Sequence, residues 1–207
     1  ISRWCERWLR DDFGQQPLYI PNGIELARFQ SKKRVFGNKK VRILIEGNSD
    51  DYYKNVDEAF KIAEKLDLQK YEIWFMSYQG KPKNWYRVDK FLHRVPYGDV
   101  PGVYLQCDIL LKTSILESFS YPPLEMMATG GYVVAVPNDG NAEYLRDGEN
   151  CLLYEQGDLD AAVEAIERIC TDAELCRVLY EMGLQTAQGR DWKRIQPQIL
   201  ELYTARN

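Results

Sequence analysis

The sequence contains few of the residues that build metal centres and disulfide frameworks. Among its 207 residues there is one histidine, His93, and the five cysteines include no Cys-x-x-Cys pair. An odd number of cysteines at these spacings is typical of reduced thiols and argues against a disulfide framework or a zinc site. A lone histidine in a short predicted strand is more often structural than catalytic. The acidic pair Asp50-Asp51 is more typical of a solvated loop than of a metal site.

Three further absences narrow the class of function. The net charge of −4 argues against a nucleic-acid-binding protein, which usually has a basic surface. No stretch approaches the roughly 18 consecutive apolar residues of a membrane-spanning helix. The sequence also lacks a Gly-x-Gly-x-x-Gly fingerprint, a Walker loop, a Gly-x-Ser-x-Gly elbow and a His-Glu-x-x-His motif. These absences disfavour a dinucleotide-dependent oxidoreductase. We expect a cytoplasmic protein that binds no nucleic acid.

Strand-like and helix-like segments alternate along most of the chain. Six short, mainly apolar runs are predicted as strands: 41–46, 71–76, 90–95, 108–111, 132–136 and 150–154. Helices are predicted between several of them: 55–66, 99–106 and 121–129. This alternation predicts right-handed βαβ crossovers and a parallel sheet, with ligands bound outside the carboxyl ends of the strands. The sequence therefore predicts an α/β, Rossmann-like fold in which helices flank the sheet.

The final part of the sequence predicts a helical C-terminal tail. Asp158 precedes an apolar stripe at helical spacing and is a candidate N-cap. Thr171 and Glu174 have the spacing of a capping box for the next helix. Asp191 is a candidate cap for the last helix, in which Pro197 predicts a kink.

Two glutamates, Glu117 and Glu125, lie where a predicted strand passes through a loop into a helix. Ser120 is placed to cap that helix, and Pro122 and Pro123 suit its first turn. The backbone N–H groups and positive dipole end of a helix N-terminus bind phosphate, and carboxylates accept hydrogen bonds from hydroxyls. The arrangement suits a sugar, a diphosphate and a ribose in order. Each carboxylate alone also suits an ordinary role, in a loop or beside a helix dipole.

The Glu-x7-Glu spacing, with Ser114 before it and the run 124–130 after it, resembles the signature of family 4 retaining glycosyltransferases. These enzymes have two Rossmann-like domains, the GT-B architecture. The resemblance implies a donor that is a nucleotide-diphosphate sugar, linked to UDP, GDP or dTDP. It also implies a glycan or lipid-linked acceptor, with no metal or other cofactor.

The segment 120–126 is similar to a subgroup that includes bacterial rhamnosyltransferases of surface polysaccharides. This similarity implies a role in bacterial polysaccharide synthesis. The expected location is the cytoplasm; the alternative is a peripheral position at the inner face of the membrane.

The segment Ile20-Pro-Asn-Gly-Ile24 resembles the hinge that joins the two halves of a GT-B enzyme. We therefore expect the chain to be the C-terminal, donor-binding half, inactive without an N-terminal domain that is missing here. In this interpretation residues 1–19 are a helix and linker of the preceding domain. Residues 20–190 are the nucleotide-sugar-binding domain, and residues 191–207 form a helix that packs toward the missing domain.

The resemblance also implies roles for individual residues. Glu117 is the expected catalytic residue, which contacts sugar hydroxyls and stabilises an oxocarbenium-like transition state. Glu125 accepts hydrogen bonds from the ribose, Lys54 binds the diphosphate, and the loop at Val95 meets the base. Four consecutive residues are expected to complete the donor site: Ser118, Phe119, Ser120 and Tyr121.

The sequence departs from the family pattern in its first loop and at two serines. Gly47 and Lys54 match a Gly-Arg…Lys-Gly loop that binds the diphosphate, but Asn48 replaces the arginine. Lys112 is a candidate replacement for that charge. Ser118 and Ser120 stand where the family usually has glycine. These departures support an alternative function, a non-catalytic nucleotide-sugar-binding subunit of a glycosyltransferase complex.

Overall fold

A single parallel sheet organises the computed structural model, which describes residues 2–37 and 39–204. The strands are β1 Val41–Glu46, β2 Tyr71–Ser77, β3 Lys90–His93, β4 Ile109–Lys112, β5 Tyr132–Ala135 and β6 Leu152–Leu153. Their order in the sheet is β3-β2-β1-β4-β5-β6, and every neighbouring pair is parallel. The predicted strands and the predicted parallel sheet are confirmed.

Seven helices accompany the sheet in the described ranges. They are α1 Arg3–Phe13, α2 Val56–Lys65, α3 Val100–Gln106, α4 Tyr121–Ala128, α5 Leu159–Thr171, α6 Ala173–Gly189 and α7 Trp192–Thr204. Short 3-10 turns occur at Leu26–Arg28, Tyr52–Lys54 and Asn141–Glu143. The predicted helices and the helical C-terminal segment are thus present. No helix in these ranges is long and apolar enough to cross a bilayer.

The core lies on both faces of the sheet because successive strand side chains point in opposite directions. Ile43 and Ile45 of β1 belong to a buried cluster that includes α2 and α5 residues. Leu44, between them, belongs to a second cluster with α3 and α4. All three side chains are almost fully buried. Burial on two faces explains why the strands read as nearly continuous apolar runs.

The helix caps confirm one prediction and correct another. The Asp158 carboxylate accepts a hydrogen bond from a backbone N–H of α5, as predicted. The predicted capping box of Thr171 and Glu174 is wrong, since Thr171 is the last residue of α5. Asp172 caps α6 instead and accepts from the backbone N–H of Leu175 at 2.9 Å. Its extended backbone is the conformation that an N-cap side chain needs.

The hinge-like segment near Ile24 lies against the start of α7. The backbone N–H of Ile24 donates to the carbonyl of Arg190 at 2.9 Å, and the N–H of Trp192 donates to the carbonyl of Ile24 at 2.9 Å. The Asp191 carboxylate accepts from a backbone N–H of α7, which agrees with its predicted capping role. Pro197 lies inside α7, and the kink stays a prediction.

The expected division of the chain also stays a prediction. Residue 1 of the expected first segment and residues 205–207 of the expected last one lie outside the described residues. Within α1, Trp4 and Trp8 stack with ring centroids 6.0 Å apart, and Trp8 is exposed. Trp4 is half-buried.

Candidate functional site

A cavity of about 380 Å³ opens beyond the carboxyl ends of β1, β2 and β3. Eight of the ten predicted site residues line it: Lys54, Val95, Glu117, Ser118, Phe119, Ser120, Tyr121 and Glu125. The loops after β1, β3 and β4 and the first two turns of α4 bring them together. This is the location that a parallel sheet favours for ligands.

Gly47 and Asn48, the other two predicted site residues, are not among the lining residues. A Cβ atom at Gly47 would lie 3.0 Å from Val56 Cγ2 and 3.2 Å from Lys54 Cβ. The glycine therefore allows Lys54 to fold tightly over the end of β1. The Asn48 side chain accepts a hydrogen bond from the backbone N–H of Asp50 at 3.1 Å. Both residues shape the loop that carries Lys54.

Four charged side chains form a row of alternating sign at one end of the pocket. Lys54 Nζ lies 2.8 Å from Glu117 Oε1, and Lys112 Nζ lies 3.5 Å from the same oxygen. On its other side, Lys112 Nζ lies 2.6 Å from Glu46 Oε2. Glu46 and Lys54 line the pocket, whereas Lys112 is only 1% exposed and lies beneath it. Lys112 thus contacts carboxylates beneath the pocket. It does not line the pocket, as a replacement for the family's arginine at the position of Asn48 would.

These contacts determine the ionisation of Glu117. Burial disfavours its charged form, but Lys112 and Lys54 outweigh burial and hold the pKa of Glu117 below its ordinary value. Burial likewise disfavours the charged form of Lys112. The carboxylates of Glu46 and Glu117 outweigh it and raise the pKa of Lys112. Glu117 and Lys112 are therefore both ionised at neutral pH.

Glu125, in the first turns of α4, has a different environment at the other end of the pocket. Burial raises the pKa of Glu125 to about 7, and the charge of Glu46 acts in the same direction. A hydrogen bond with Tyr104 and the more distant charge of Arg28 oppose this rise. Tyr104 itself is fully buried on α3. Glu125 is thus a carboxyl group that can accept or donate hydrogen bonds near neutral pH.

The prediction that the Ser120 side chain caps α4 is wrong. Ser120 occupies the N-cap position, but its side chain makes no capping hydrogen bond. A capping side chain bonds the second or third backbone N–H of the helix, and Pro122 and Pro123 at these positions have none. The Ser120 backbone is left-handed, with φ 67°, a conformation that favours glycine. Its hydroxyl is buried and has no hydrogen-bond partner among the described residues.

The same prolines change which donors face the pocket. A helix N-terminus normally offers its first few N–H groups, but α4 loses those of Pro122 and Pro123. In the described part of the chain, the N–H groups of Phe119, Ser120 and Tyr121 donate to no protein acceptor. Phe119, Ser120, Tyr121 and Lys54 all line the pocket, so these three N–H groups and the Lys54 ammonium are candidate donors to an anion.

Sequence reasoning missed Glu46 and Tyr104 as pocket residues. Glu46 carried a signal, because it is a charged residue at the carboxyl end of a buried strand. Tyr104 carried none, since its contact with Glu125 depends on how α3 packs against α4. His93, considered structural, is exposed on the edge strand and stacks on Phe91. No cluster of three or more potential metal-ligating side chains occurs in residues 2–37 and 39–204.

Comparison with known proteins shows which proteins the chain resembles in sequence and fold. Residues 88–186 match the family model described as Glycosyl transferases group 1. This part of the chain, just under half of it, is similar to glycosyl transferase group 1 domains, and the curated relatives are named as glycosyltransferases. The matched region includes Glu117, Glu125 and the start of α4, and excludes Glu46 and Lys54.

Two curated relatives illustrate the similarity. The chain is 33% identical over 107 residues to the putative glycosyltransferase EpsD of Bacillus subtilis (strain 168), covering 52% of this chain and 28% of EpsD. It is 25% identical over 217 residues to the phosphatidyl-myo-inositol mannosyltransferase of Mycobacterium leprae (strain TN), covering 98% of this chain and 57% of that protein. The chain thus spans between about a quarter and just over half the length of these relatives.

A solved structure places the fold. The structure of Anabaena Alr3699/HepE in complex with UDP and glucose superimposes with a TM-score of 0.83 at 18% sequence identity. The match covers 99% of this chain and 62% of that chain. The fold is that of the C-terminal domain of a GT-B glycosyltransferase, as predicted.

Proposed function

We propose that this chain is the nucleotide-sugar-binding domain of a retaining glycosyltransferase. One observation carries the proposal: Glu117, Glu125, Lys54 and the residues at the start of α4, whose N–H groups have no protein acceptor, all line one pocket. Together they offer anion donors between two carboxylates. A nucleoside diphosphate sugar has the matching order of hydroxyls, diphosphate and ribose hydroxyls.

The chemistry of the two ends supports distinct roles. An ionised Glu117 accepts hydrogen bonds from sugar hydroxyls and stabilises the positive charge that develops on the ring in the transition state. Lys54 neutralises the charge of the leaving diphosphate. Glu125 accepts hydrogen bonds from the ribose, and the loop at Val95 lies where the base would meet the edge of the sheet. UDP and glucose bound to the similar Anabaena protein support a nucleotide-sugar donor.

The acceptor and the biological process are part of the proposal. The names of relatives in phosphatidyl-myo-inositol mannosylation and lipopolysaccharide core biosynthesis support a lipid-linked or glycan acceptor. We propose that this domain works with an acceptor-binding domain in polysaccharide or glycolipid synthesis. No metal is required in this scheme, because Lys54 and the backbone N–H groups supply the positive field.

Asn48 favours a second candidate, a non-catalytic nucleotide-sugar-binding subunit. Without an arginine at this position, Lys54 is the only cationic side chain among the described lining residues of the pocket. A single cation suffices to bind a diphosphate but stabilises a leaving group less than two would. Turnover by a protein that combines this chain with an acceptor-binding domain favours the enzyme; binding without turnover in that protein favours the subunit.

A thermal-unfolding series with UDP, GDP, dTDP and their sugar conjugates tests the proposal. A nucleotide present at about 100 times its dissociation constant stabilises the fold by about 2.7 kcal/mol, which is readily detected. We expect one base to stabilise the chain more than the others, and the isolated chain to bind without transferring sugar. If no nucleotide changes the midpoint, the proposal is wrong. Sugar transfer by the isolated chain would contradict the need for a second domain.

A further inference from the structure

Lys112 is a buried lysine whose ammonium group contacts two glutamates of the pocket and is not itself among the lining residues. Its Nζ lies 2.6 Å from Glu46 Oε2, 3.1 Å from the Glu46 carbonyl and 3.5 Å from Glu117 Oε1. A buried ammonium destabilises a fold unless such partners compensate for its lost hydration. Lys112 is therefore committed to two carboxylates, one of which faces the proposed sugar position.

The proposed function requires Lys54 to leave the position that it has in this structure. In this structure its Nζ lies 2.8 Å from Glu117 Oε1, whereas diphosphate binding requires it to turn toward the donor. The Glu117 side chain is only 12% exposed. If Lys54 were its only cationic partner, movement of Lys54 would leave a largely buried carboxylate unpaired, which is strongly unfavourable.

We propose that Lys112, anchored by Glu46, is a positioning residue that holds Glu117 in place while Lys54 moves to the donor diphosphate. This inference rests on the proposed function. Glu117 keeps its contact with Lys112 beneath the pocket when Lys54 moves away. Lys112 contacts neither sugar nor diphosphate and acts only through Glu117.

The groups around Glu117 determine what the loss of Lys112 would do. Lys54 faces it from the 3-10 turn after β1, Lys112 from β4, and Glu46 from β1 across Lys112. The hydroxyl of Tyr144 also interacts with it electrostatically. Without Lys112 and Glu46, Lys54 becomes the main cationic neighbour of Glu117. The two should then bind each other more firmly, at the expense of the diphosphate.

A double-mutant cycle in the intact chain tests this prediction. The variant Lys112→Met/Glu46→Gln replaces the buried pair by neutral side chains of similar length, and Lys54→Met is introduced with and without it. Affinities for UDP, GDP and dTDP are measured by calorimetry at pH 8. We expect Lys54→Met to weaken binding about tenfold in the wild-type background, as for loss of a charged hydrogen bond, and about twofold or less in the pair-replaced background.

A pH profile separates positioning from a merely structural role. Loss of the Lys112 charge raises the pKa of Glu117, so acidification should protonate Glu117 and release Lys54 at a higher pH than in the wild type. The pair-replaced variant should therefore regain affinity relative to the wild-type profile with the same nucleotide. If it unfolds, Lys112→Gln/Glu46→Gln, which keeps hydrogen-bonding groups at both positions, replaces it in the cycle.

The outcomes separate this inference from the proposed function. If the wild-type chain binds none of the three nucleotides, the proposed function fails and the inference fails with it. If the wild-type chain binds but Lys54→Met has the same effect in both backgrounds, Lys112 is a structural residue and only the inference is overturned.

Discussion

The two ends of the pocket contain the same type of side chain in opposite electrostatic environments. Glu117 lies beside two lysines, which keep its pKa low in spite of burial. Glu125 has no lysine within salt-bridge distance in the described ranges, and burial raises its pKa to about 7. The difference teaches that position in the fold, and not residue type, assigns the roles. Carboxylates whose pKa values are pushed apart are suited to different tasks.

The largest expected effect is on turnover, at the Glu117 end. In an active protein that carries this domain, Glu117→Gln should lower kcat by about 100-fold or more, because it removes charge that stabilises the transition state. Affinity for the nucleoside diphosphate should stay the same or rise, since Lys54 is released from its partner. Steady-state kinetics and calorimetry measure the two quantities. If kcat is unchanged in Glu117→Gln, the proposed catalytic role of Glu117, which distinguishes it from Glu125, is wrong.

The next effect concerns binding, at the Glu125 end. Glu125→Ala should weaken the nucleoside diphosphate by about 1.5–3 kcal/mol, because the ribose loses a charged hydrogen-bond acceptor in every bound state. Calorimetry measures this loss, and Glu164→Ala, at an exposed glutamate on α5, is the matched control. If Glu117→Ala weakens the nucleotide as much as Glu125→Ala does, the assignment of sugar and ribose ends is wrong.

The two carboxylates should also affect stability with opposite dependence on pH. The folded pKa of Glu125, about 7, exceeds its ordinary value of 4.5, so its stabilising contribution is present below pH 4.5 and is lost as pH rises through 7. The folded pKa of Glu117 is lowered, so its contribution is present above its ordinary value and is lost on acidification.

Denaturant unfolding between pH 5 and 8 tests the Glu125 half of this comparison. The difference in free energy of unfolding between wild type and Glu125→Gln should change with pH by up to about 1.4 kcal/mol per unit. The wild type should lose stability relative to the variant as pH rises. A difference that is constant over this range would show that Glu125 titrates normally.

The smallest expected effect is at Ser120, between the two glutamates. Ser120→Gly should raise the free energy of unfolding by about 1 kcal/mol, because glycine adopts the left-handed backbone without strain. It also removes a buried hydroxyl that has no partner among the described residues. Ser118→Gly is the control. Because Ser118 does not have a positive φ, this substitution should lower the free energy of unfolding. Thermal unfolding of both variants decides whether Ser120 is strained.

Much of the fold could be predicted because its signals are local. The apolar run of β1 and the helical spacing of α2 were located to within a residue, since burial on two faces and on one stripe leaves distinct patterns. The cap of α6 was misplaced because Thr171 and Asp172 are adjacent and both suit an N-cap. The failure of Ser120 to cap α4 was readable in advance, since Pro122 and Pro123 offer no N–H.

The sequence by itself determined the parallel α/β class, the spacing of Glu117 and Glu125, and the helix that follows their loop. Such features depend on periodicity and on neighbours along the chain. Only the tertiary structure decided that Lys112 lies between Glu46 and Glu117 and that Tyr104 reaches Glu125. Those contacts join residues far apart in sequence. The ionisation of each carboxylate depends on burial and on charges within a few ångströms, which no local pattern records.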